Sequence, residues 1–240
     1  MFLTKTEIHL WQICLNQFPP IQLFSWLDPI EKQRAQQLKS ETLYRRYVIA
    51  HAAMRDILSK YLGSTPASIN LIQPPNQKPS IDSAQNQIDL EFNLSHSHEI
   101  AILALSRSLV IGVDIEHIRN IPDIAQLAKR FFTLSEYEIL LGSPADKQLS
   151  LFFKIWTTKE AFLKAKGLGI SHHLDQFSVK LNNHQEPIGI CGSKSGIEPW
   201  ILQRLVTFPG YESTLAIESK SMPQLIYFNW NKIGPIKKYL

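Results

Sequence analysis

The stretch Ile111-Gly112-Val113-Asp114-Ile115-Glu116 alternates apolar and other residues with a period of two. In a β-strand, successive side chains point to opposite faces, so the isoleucines and the valine share one face. Gly112, Asp114 and Glu116 share the other face. Because β-branched apolar residues suit a buried, pleated surface, the stretch predicts a strand with one face in a core and two carboxylates side by side on the other.

The two carboxylates allow two interpretations. Neighbouring acids repel each other and raise a pKa unless a cation lies between them. Mg²⁺ fits such a pair, because it prefers oxygen ligands and is often held by one or two carboxylates together with substrate phosphates. The alternative is a strand that leaves a core and ends in two solvated acids. Taken alone, the motif favours this second interpretation, since paired acids mark sites only probabilistically.

Size and composition describe a globular protein. The 240 residues are enough for one large domain or two smaller ones, and 44% hydrophobic with 19% charged residues excludes wholesale disorder. The net charge is +4, but the cations are scattered, and the longest basic runs are pairs such as Arg45-Arg46. A nucleic-acid binder clusters its cations, so that class is disfavoured. Small anionic ligands or an acidic protein partner remain compatible with this charge.

Cysteine usage and the N-terminus predict a cytoplasmic protein. Cys14 and Cys191 lie far apart in the sequence without metal-ligand spacing, which is typical of buried free thiols in a reducing compartment. Lys5, Glu7 and His9 exclude a signal peptide at the start of the chain. Since no apolar run approaches membrane-spanning length, no membrane association is expected.

Local patterns predict an α+β protein. Strands are expected around residues 4–15, 88–94, 100–105 and 111–116, and helices around 25–39, 41–62, 122–132 and 149–167, with a short helix after a capping box at 133–136. The order of a strand, two helices and further strands occurs in the first half and again after residue 110. We therefore expect two similar α+β halves, 1–108 and 109–240, each a small antiparallel sheet packed with helices. A turn at residues 93–98 would bring Ser95 and His96 near the acidic pair.

The helix predicted at residues 149–167 carries a second motif. Trp156, Glu160 and Lys164 follow the spacing i, i+4, i+8 and share one helix face. Glu160 and Lys164 could be an ordinary surface pair, worth roughly 0.2–0.5 kcal/mol, with the tryptophan packed beneath them. That interpretation explains each residue but not their occurrence together with the acidic strand.

Together, residues 112–116 (GVDIE) and 156–164 (WTTKEAFLK) resemble the two-part signature of the 4′-phosphopantetheinyl transferases. The chain length and the upstream segments resemble the monomeric, surfactin-synthetase-activating (Sfp) type rather than the short trimeric holo-acyl-carrier-protein synthases. The resemblance covers residues from about 25 to 180. It implies the family's fold, a pseudo-twofold pair of α+β halves with the active site between them and the metal site in the second half.

Other segments resemble the family in the same order. Residues 92–97 (FNLSHS) resemble its nucleotide-contacting strand end, Lys78-Pro79 its Gly-Lys-Pro loop, and Arg46 its arginine near the start of the second helix. Gln77 stands where the family has a glycine. Of the family's two basic residues on the first helix, one aligns with Arg34, while the other falls on Glu31 or, with a shift, on Lys32.

The resemblance implies an activity. The family transfers the phosphopantetheine arm of coenzyme A to a serine of an apo acyl, peptidyl or aryl carrier protein and releases 3′,5′-ADP. Asp114, Glu116 and Glu160 would hold Mg²⁺, with Mn²⁺ as the alternative, beside the coenzyme A pyrophosphate. Glu160 is the expected general base, acting directly or through water, and Lys164 would neutralise the pyrophosphate. The pathway served, fatty-acid, polyketide or nonribosomal peptide synthesis, is left open.

The resemblance also assigns coenzyme A contacts. Arg34, Arg46 and His96 would bind the 3′-phosphate, Ser95 would donate to a phosphate oxygen, and Lys78 would lie near the adenine. Lys159 points away from the Glu160 face and is expected to make a supporting salt bridge. On the helix after the acidic strand, residues 129–132 (KRFF) would offer basic and apolar contacts to a carrier protein, with the two phenylalanines alternatively in the core.

Two other functions compete with this hypothesis. One is a non-enzymatic carrier-protein or nucleotide-binding module of the same fold, which the presence of all three carboxylates and Lys164 disfavours. The other is an unrelated Mg²⁺-dependent phosphodiesterase or nuclease, for which three acids would also serve. A nuclease would need a large basic groove, and the scattered cations do not predict one.

Overall fold

The fold is α+β, as expected, and it consists of two compact units. The structure, a computed structural model, describes residues 1–74, 77–168, 174–192, 199–205 and 208–230. Among these described residues, no helix is both long and apolar enough to cross a membrane.

The first unit surrounds a four-stranded sheet. Its elements are β1 (Glu7–Cys14), α1 (Pro20–Leu23), α2 (Pro29–Gln36), α3 (Glu41–Leu62), β2 (Leu71–Ile72), β3 (Ser80–Ile81), β4 (Leu90–Ser97), β5 (Ile100–Arg107) and the last strand, Gln224–Asn229. The sheet order is last strand, β1, β5, β4. The β1–β5 and β4–β5 pairs are antiparallel, whereas the last strand pairs with β1 in parallel. This unit therefore has one parallel pair in a sheet expected to be antiparallel.

Helices α2 and α3 have clear end signals. Asp28 caps α2 by accepting from the Glu31 N–H, and the Glu31 carboxylate accepts from the Asp28 N–H, which forms a capping box. Ser40 caps α3, and Gly63, with φ 66°, ends it in the left-handed conformation that glycine adopts without strain. The predicted helix over 41–62 is confirmed. Most of the length of α3 after Tyr47 packs into the core of this unit.

The second unit contains the acidic strand. Its elements are β6 (Ile111–His117), α4 (Ile124–Phe131), α5 (Leu134–Gly142), α6 (Ala145–Ala165), β7 (Ser178–Leu181), β8 (Pro187–Cys191), β9 (Trp200–Arg204) and β10 (Tyr211–Glu218). An antiparallel sheet has the order β6, β10, β9, and β7 pairs with β8 in a separate antiparallel ribbon. The long helix α6 packs on both β6 and β10. It begins four residues before the predicted start, at Ala145.

Gly112 permits the close approach of β6 to α6. A Cβ at this position would lie 2.1 Å from the Ala161 carbonyl oxygen and 2.3 Å from the Ala165 nitrogen. These are backbone atoms of α6 that a side-chain rotation cannot move. The face of β6 that carries Gly112 and Asp114 is therefore the face against the helix.

The observed grouping differs from the expected division at residues 108 and 109 in two places. The segment from Pro223 to Trp230 returns to the first unit, where it supplies the last strand, β11. Lys78 groups with the second unit. Residues 231–240 of the expected second half lie outside the described residues.

Two other expectations need correction. Strand β4 continues through Ser97, so Ser95 and His96 belong to a strand, and the turn lies at His98, whose φ is 52°. The cysteines are free thiols, as expected, but they are not buried: Cys14 is half-buried and Cys191 is exposed. Cys191 is the last residue of β8, which belongs to a two-stranded ribbon.

Candidate active site

The centre of the candidate site is a contact between β6 and α6. Asp114 of β6 and Glu160 of α6 are each only 4% exposed, and Lys164 lies one helical turn after Glu160. The Lys164 ammonium group donates to Asp114 Oδ1 at 2.6 Å. The acidic strand and the WTTKEAFLK helix, which the sequence placed far apart, thus meet within one unit.

Electrostatics link the three predicted ligands. Burial raises the pKa of Glu160, and the negative charges of Asp114 and Glu116 raise it further. The positive charge of Lys164 lowers it in part, and the resulting pKa is about 8. Glu116 is half-buried, and Arg119 contacts it at 3.3 Å. The three carboxylates therefore interact across the seam between β6 and α6.

The seam suits a hard divalent cation by its chemistry. Among the described residues, no group of three acidic, histidine or cysteine side chains is arranged to hold a metal ion as it stands, and Lys164 supplies the positive charge at Asp114. The available donors are carboxylate oxygens, the ligands that Mg²⁺ takes. A cation there would also favour the ionised form of Glu160, whose pKa is raised by burial and then by the repulsion from Asp114. Asp114, Glu116 and Glu160 therefore fit the implied metal.

A cluster of three threonine hydroxyl groups lies beside this seam, where α6 packs on β10. Thr214 of β10 is directly opposite Asp114 in the strand register. Its Oγ1 lies 3.1 Å from that of Thr157 and 3.4 Å from that of Thr158, both on α6. No local sequence pattern marks Thr214, because its partners are 56 and 57 residues away.

Lys159 has the supporting role expected of it. Its side chain is fully buried, and its ammonium group pairs with Glu136 Oε2 at 2.8 Å and donates to the carbonyls of Leu174 and Phe177. Burial lowers the pKa of Lys159, and the neighbouring Glu136 carboxylate acts in the opposite direction. The residue ties α6 to α5 and to the segment before β7.

The aromatic part of the signature belongs to the core. Trp156 stacks on Phe152 at 5.7 Å and meets Phe131 edge to face at 5.4 Å. Phe132 is buried. The core alternative is thus confirmed for these phenylalanines, whereas the neighbouring residues Lys129 and Arg130 are exposed.

Most of the predicted coenzyme A residues lie in the first unit. Arg46 donates to Glu99 Oε1 at 2.7 Å and contacts His98 Nδ1 at 2.9 Å. Arg45 contacts the same carboxylate at 3.1 Å, so two arginines share one acid and the group keeps a net positive charge. Arg34 donates to the Gln73 side chain at 2.7 Å. Lys78, in the second unit, donates to the Ile111 carbonyl at 3.1 Å.

A cleft of about 180 Å³ in the first unit brings several of these segments together. His96 of β4 and Pro79, which follows Lys78, both line it, and so does Gln73, the partner of Arg34. Ser95 is buried on the preceding position of β4. The remaining lining is mixed: Met54, Leu71, Phe92 and Leu94 are apolar, and Glu31, His51 and Asn93 are polar or charged.

Glu31 aligns with a basic residue of the family but does not supply its positive charge. It is buried, pairs with the fully buried Arg55 and accepts from His51 Nδ1 at 2.9 Å. Burial disfavours its charge, but His51, Arg55 and the Asp28 N–H together hold the pKa of Glu31 below its ordinary value. No expectation from the sequence included this network, although the spacing of His51 and Arg55 by one helical turn on α3 is a signal that both face the same neighbour.

Similarity to known proteins identifies the family. Residues 110–215 match the 4′-phosphopantetheinyl transferase superfamily, and residues 9–108 match the N-terminal region of 4′-phosphopantetheinyl transferases. The 4′-phosphopantetheinyl transferase HetI of Nostoc sp. is 37% identical over 182 residues, which cover 75% of this chain and 76% of HetI. This chain belongs to the 4′-phosphopantetheinyl transferase family.

Two further proteins are similar to this chain. The transferase Sfp of Bacillus subtilis is 29% identical over 211 residues, covering 88% of this chain and 90% of Sfp. A holo-(acyl-carrier-protein) synthase of Bacillus anthracis, crystallised in complex with CoA (3′,5′-ADP), has a TM-score of 0.37 and 20% identity, and covers 45% of this chain and 95% of that chain. The sequence matches confirm the family and the enzyme class expected from the two-part signature. The matched superfamily region includes Asp114, Glu160 and Lys164.

Proposed function

We propose that this enzyme transfers the 4′-phosphopantetheine group of coenzyme A to a serine of an apo carrier protein in a Mg²⁺-dependent reaction. The observation that carries the proposal is the partly buried Asp114–Lys164 contact beside the buried Glu160, which joins the two parts of the family signature. Burial strengthens electrostatic interactions, so a diphosphate and a divalent cation would be bound strongly beside these groups.

Asp114, Glu116 and Glu160 are the proposed metal ligands. When bound, Mg²⁺ would supply Lewis-acid stabilisation of charge on the pyrophosphate. Mn²⁺, which also takes oxygen ligands, is the proposed alternative. Lys164 already neutralises Asp114, and in the substrate complex we assign its ammonium group to the pyrophosphate, which carries more charge than a single carboxylate.

Glu160 is the proposed general base. The serine hydroxyl gives its proton to the carboxylate, directly or through a water molecule, and the serine oxygen forms a bond to the phosphorus that carries the pantetheine arm. The bond from that phosphorus to the oxygen of the leaving group breaks, and 3′,5′-ADP departs with the electron pair. Glu160 is suited to this role because it is the carboxylate on the helix face shared with Lys164.

The nucleotide end of coenzyme A is assigned to the predicted residues of the first unit and to Lys78. Arg46, with Arg45 beside it, offers a net positive group to the 3′-phosphate, and His96 and Arg34 are proposed to contribute charge-assisted hydrogen bonds of roughly 1.5–3 kcal/mol each. Ser95 is proposed as a donor to a phosphate oxygen, and Lys78 is assigned to the adenine.

The protein substrate is proposed to be an acyl, peptidyl or aryl carrier protein. Lys129 and Arg130 are exposed on α4, so they can meet the acidic surface that a carrier helix would present. We further propose that the enzyme acts as a monomer in the cytoplasm, without nucleic acid or membrane as a partner. Its two free thiols support a reducing compartment.

The test is a mass measurement on the carrier. The protein is incubated with coenzyme A, Mg²⁺ and an apo carrier protein, and the carrier is then weighed. We expect a gain of one phosphopantetheine group, which EDTA and Glu160→Gln abolish. Glu138→Gln, which changes an exposed acid on α5, serves as the matched control and should leave the gain intact. A carrier of unchanged mass with the wild-type enzyme would overturn the proposal, and a full gain with Glu160→Gln would overturn the role of Glu160.

A further inference from the structure

The three threonines beside the seam form a directed chain of hydroxyl groups. Thr158 Oγ1 donates to the Lys154 carbonyl at 2.7 Å, so its single proton is committed there. Towards Thr214, at 3.4 Å, Thr158 can then only accept, and Thr214 must donate to it. Thr214 has one proton, so at 3.1 Å it accepts from Thr157, whose other acceptor, the Lys154 carbonyl, is farther away at 3.4 Å. The order of donation is thus Thr157, Thr214, Thr158 and the Lys154 carbonyl.

This chain of hydroxyl groups is buried. Thr157 and Thr158 are fully buried and Thr214 is 3% exposed. Valine would fill the same volume without placing hydroxyl groups in a core, where an unpaired hydroxyl costs free energy. Apolar contacts are also non-directional, whereas hydrogen bonds require a defined distance and angle. A hydroxyl chain at this position therefore fixes how α6 lies on β10 more narrowly than apolar packing would.

The three hydroxyl groups lie next to the positions of the carboxylates. Thr214 is the register partner of Asp114, and residues directly opposite in an antiparallel pair place their side chains on the same face. On the helix, Thr157 and Glu160 are three residues apart and therefore neighbours on the helix surface. The hydrogen bond between Thr214 and Thr157 thus joins the strand beside Asp114 to the helical turn that carries Glu160.

We propose that Thr214 is a positioning residue, whose hydroxyl group fixes the separation of Glu160 from Asp114 for the binding of Mg²⁺ and pyrophosphate. The proposal rests on the proposed function and assigns no contact with substrate to Thr214. Gly112 sets how closely β6 approaches α6, whereas Thr214 sets where α6 lies along β10. Both constraints act on the same pair of carboxylates, Gly112 from a position two residues before Asp114 on β6 and Thr214 from the neighbouring strand β10.

The test compares Thr214→Val, which keeps the volume, with Thr214→Ser, which keeps the hydroxyl group. Mg²⁺ binding to the full chain is measured by calorimetry without coenzyme A, and kcat and KM for coenzyme A and for the carrier are measured separately. For Thr214→Val, we expect Mg²⁺ affinity and kcat to fall roughly 10-fold, the scale found for groups that orient metal ligands, with KM for the carrier unchanged. Thr214→Ser should restore both quantities to within about twofold of wild type.

Ser213→Ala is the matched control, because Ser213 is the neighbouring buried hydroxyl on the other face of β10. It should bind Mg²⁺ as wild type does. A folded Thr214→Val protein with wild-type Mg²⁺ affinity, or a Thr214→Ser protein as weak as Thr214→Val, would overturn the positioning role.

A second pair of variants covers the case in which Thr214→Val does not fold. Thr157→Val and Thr157→Ser interrupt and preserve the same chain from the helix side, and they should differ in Mg²⁺ affinity in the same way. Equal affinities for this pair would overturn the proposal. A wild-type protein that fails to modify the carrier would overturn the proposed function instead, so the two failures are distinguishable.

Discussion

Lys164 Nζ lies 2.6 Å from Asp114 Oδ1, and this ion pair joins α6 to β6 at the point where Glu160 is also buried. The side chains of Lys164 and Asp114 are 18% and 6% exposed, so water screens the pair only in part. One ammonium group thus faces two buried carboxylates. Burial and the charge of Asp114 together raise the pKa of Glu160 to about 8, and Lys164 acts in the opposite direction, so the contribution of Lys164 to the seam can be measured as stability.

Lys164→Met should lower the free energy of unfolding of the metal-free protein by about 1–3 kcal/mol, because it leaves Asp114 beside Glu160 without the ammonium group. Added Mg²⁺ should then stabilise the variant more than the wild type, since the cation replaces the lost charge. Urea denaturation in EDTA and in Mg²⁺ measures both effects. Lys147→Met, on the exposed first part of α6, is the control and should change stability by less than about 0.5 kcal/mol. A loss of stability that Mg²⁺ leaves unchanged would contradict this account.

Gly112→Ala should destabilise the protein by about 3 kcal/mol or more, because the new Cβ would meet the backbone of α6 at 2.1 Å from the Ala161 oxygen. Separation of the helix from the strand should also reduce transferase activity. Gly142→Ala is the matched control, since a Cβ at Gly142, the last residue of α5, meets no atom within 4 Å. Thermal unfolding of both variants checks the prediction, and similar melting temperatures for the two would show that the close approach at Gly112 is unimportant.

The sequence was sufficient for the parts of the site that lie on regular local patterns. The period of two placed Asp114 and Glu116 on one strand face, and the helical spacing placed Glu160 and Lys164 on one helix face. Both are properties of a few consecutive residues. The direct contact between Asp114 and Lys164 is not such a property, and only the fold established it.

Interactions between distant segments could not be predicted in this way. Thr214 lies in a strand whose apolar and hydroxyl residues fit any buried sheet, and its partners are more than 50 residues away. The return of β11 to the first unit depends on its parallel pairing with β1, and no local pattern encodes that pairing. The position of Glu31 on its helix aligns it with a basic residue of the family. Its actual surroundings depend on its ion pair with Arg55, which lies on the next helix.

Lys159→Met should cost about 3–5 kcal/mol, because Glu136 would be left as a buried acid without its partner. The double variant Lys159→Met/Glu136→Gln should recover much of this loss, since it removes both charges from the core and keeps a side-chain oxygen that accepts from the Val179 N–H. Chemical denaturation of the two single variants and the double variant gives the coupling energy. Additive losses in the double variant would show that the pair acts independently and would contradict the structure.

Glu31→Gln should change the acid stability of the first unit. His51 and Arg55 hold the pKa of Glu31 below its ordinary value of 4.5, so the folded protein binds this proton less readily than the unfolded chain. The ionised carboxylate therefore contributes stability above pH 4.5, and that contribution is lost as the pH falls through the lower folded pKa. Urea denaturation at pH 7 and pH 4 measures the free energy of unfolding of wild type and of Glu31→Gln. The difference between the two proteins should be smaller at pH 4 than at pH 7. The control is Glu41→Gln, because Glu41 is an exposed acid in the first turn of α3. Its free energy of unfolding should differ little from that of wild type at both pH values. A difference for Glu31→Gln that is constant or larger at pH 4 would show that the ionised carboxylate is not what stabilises the contact between α2 and α3.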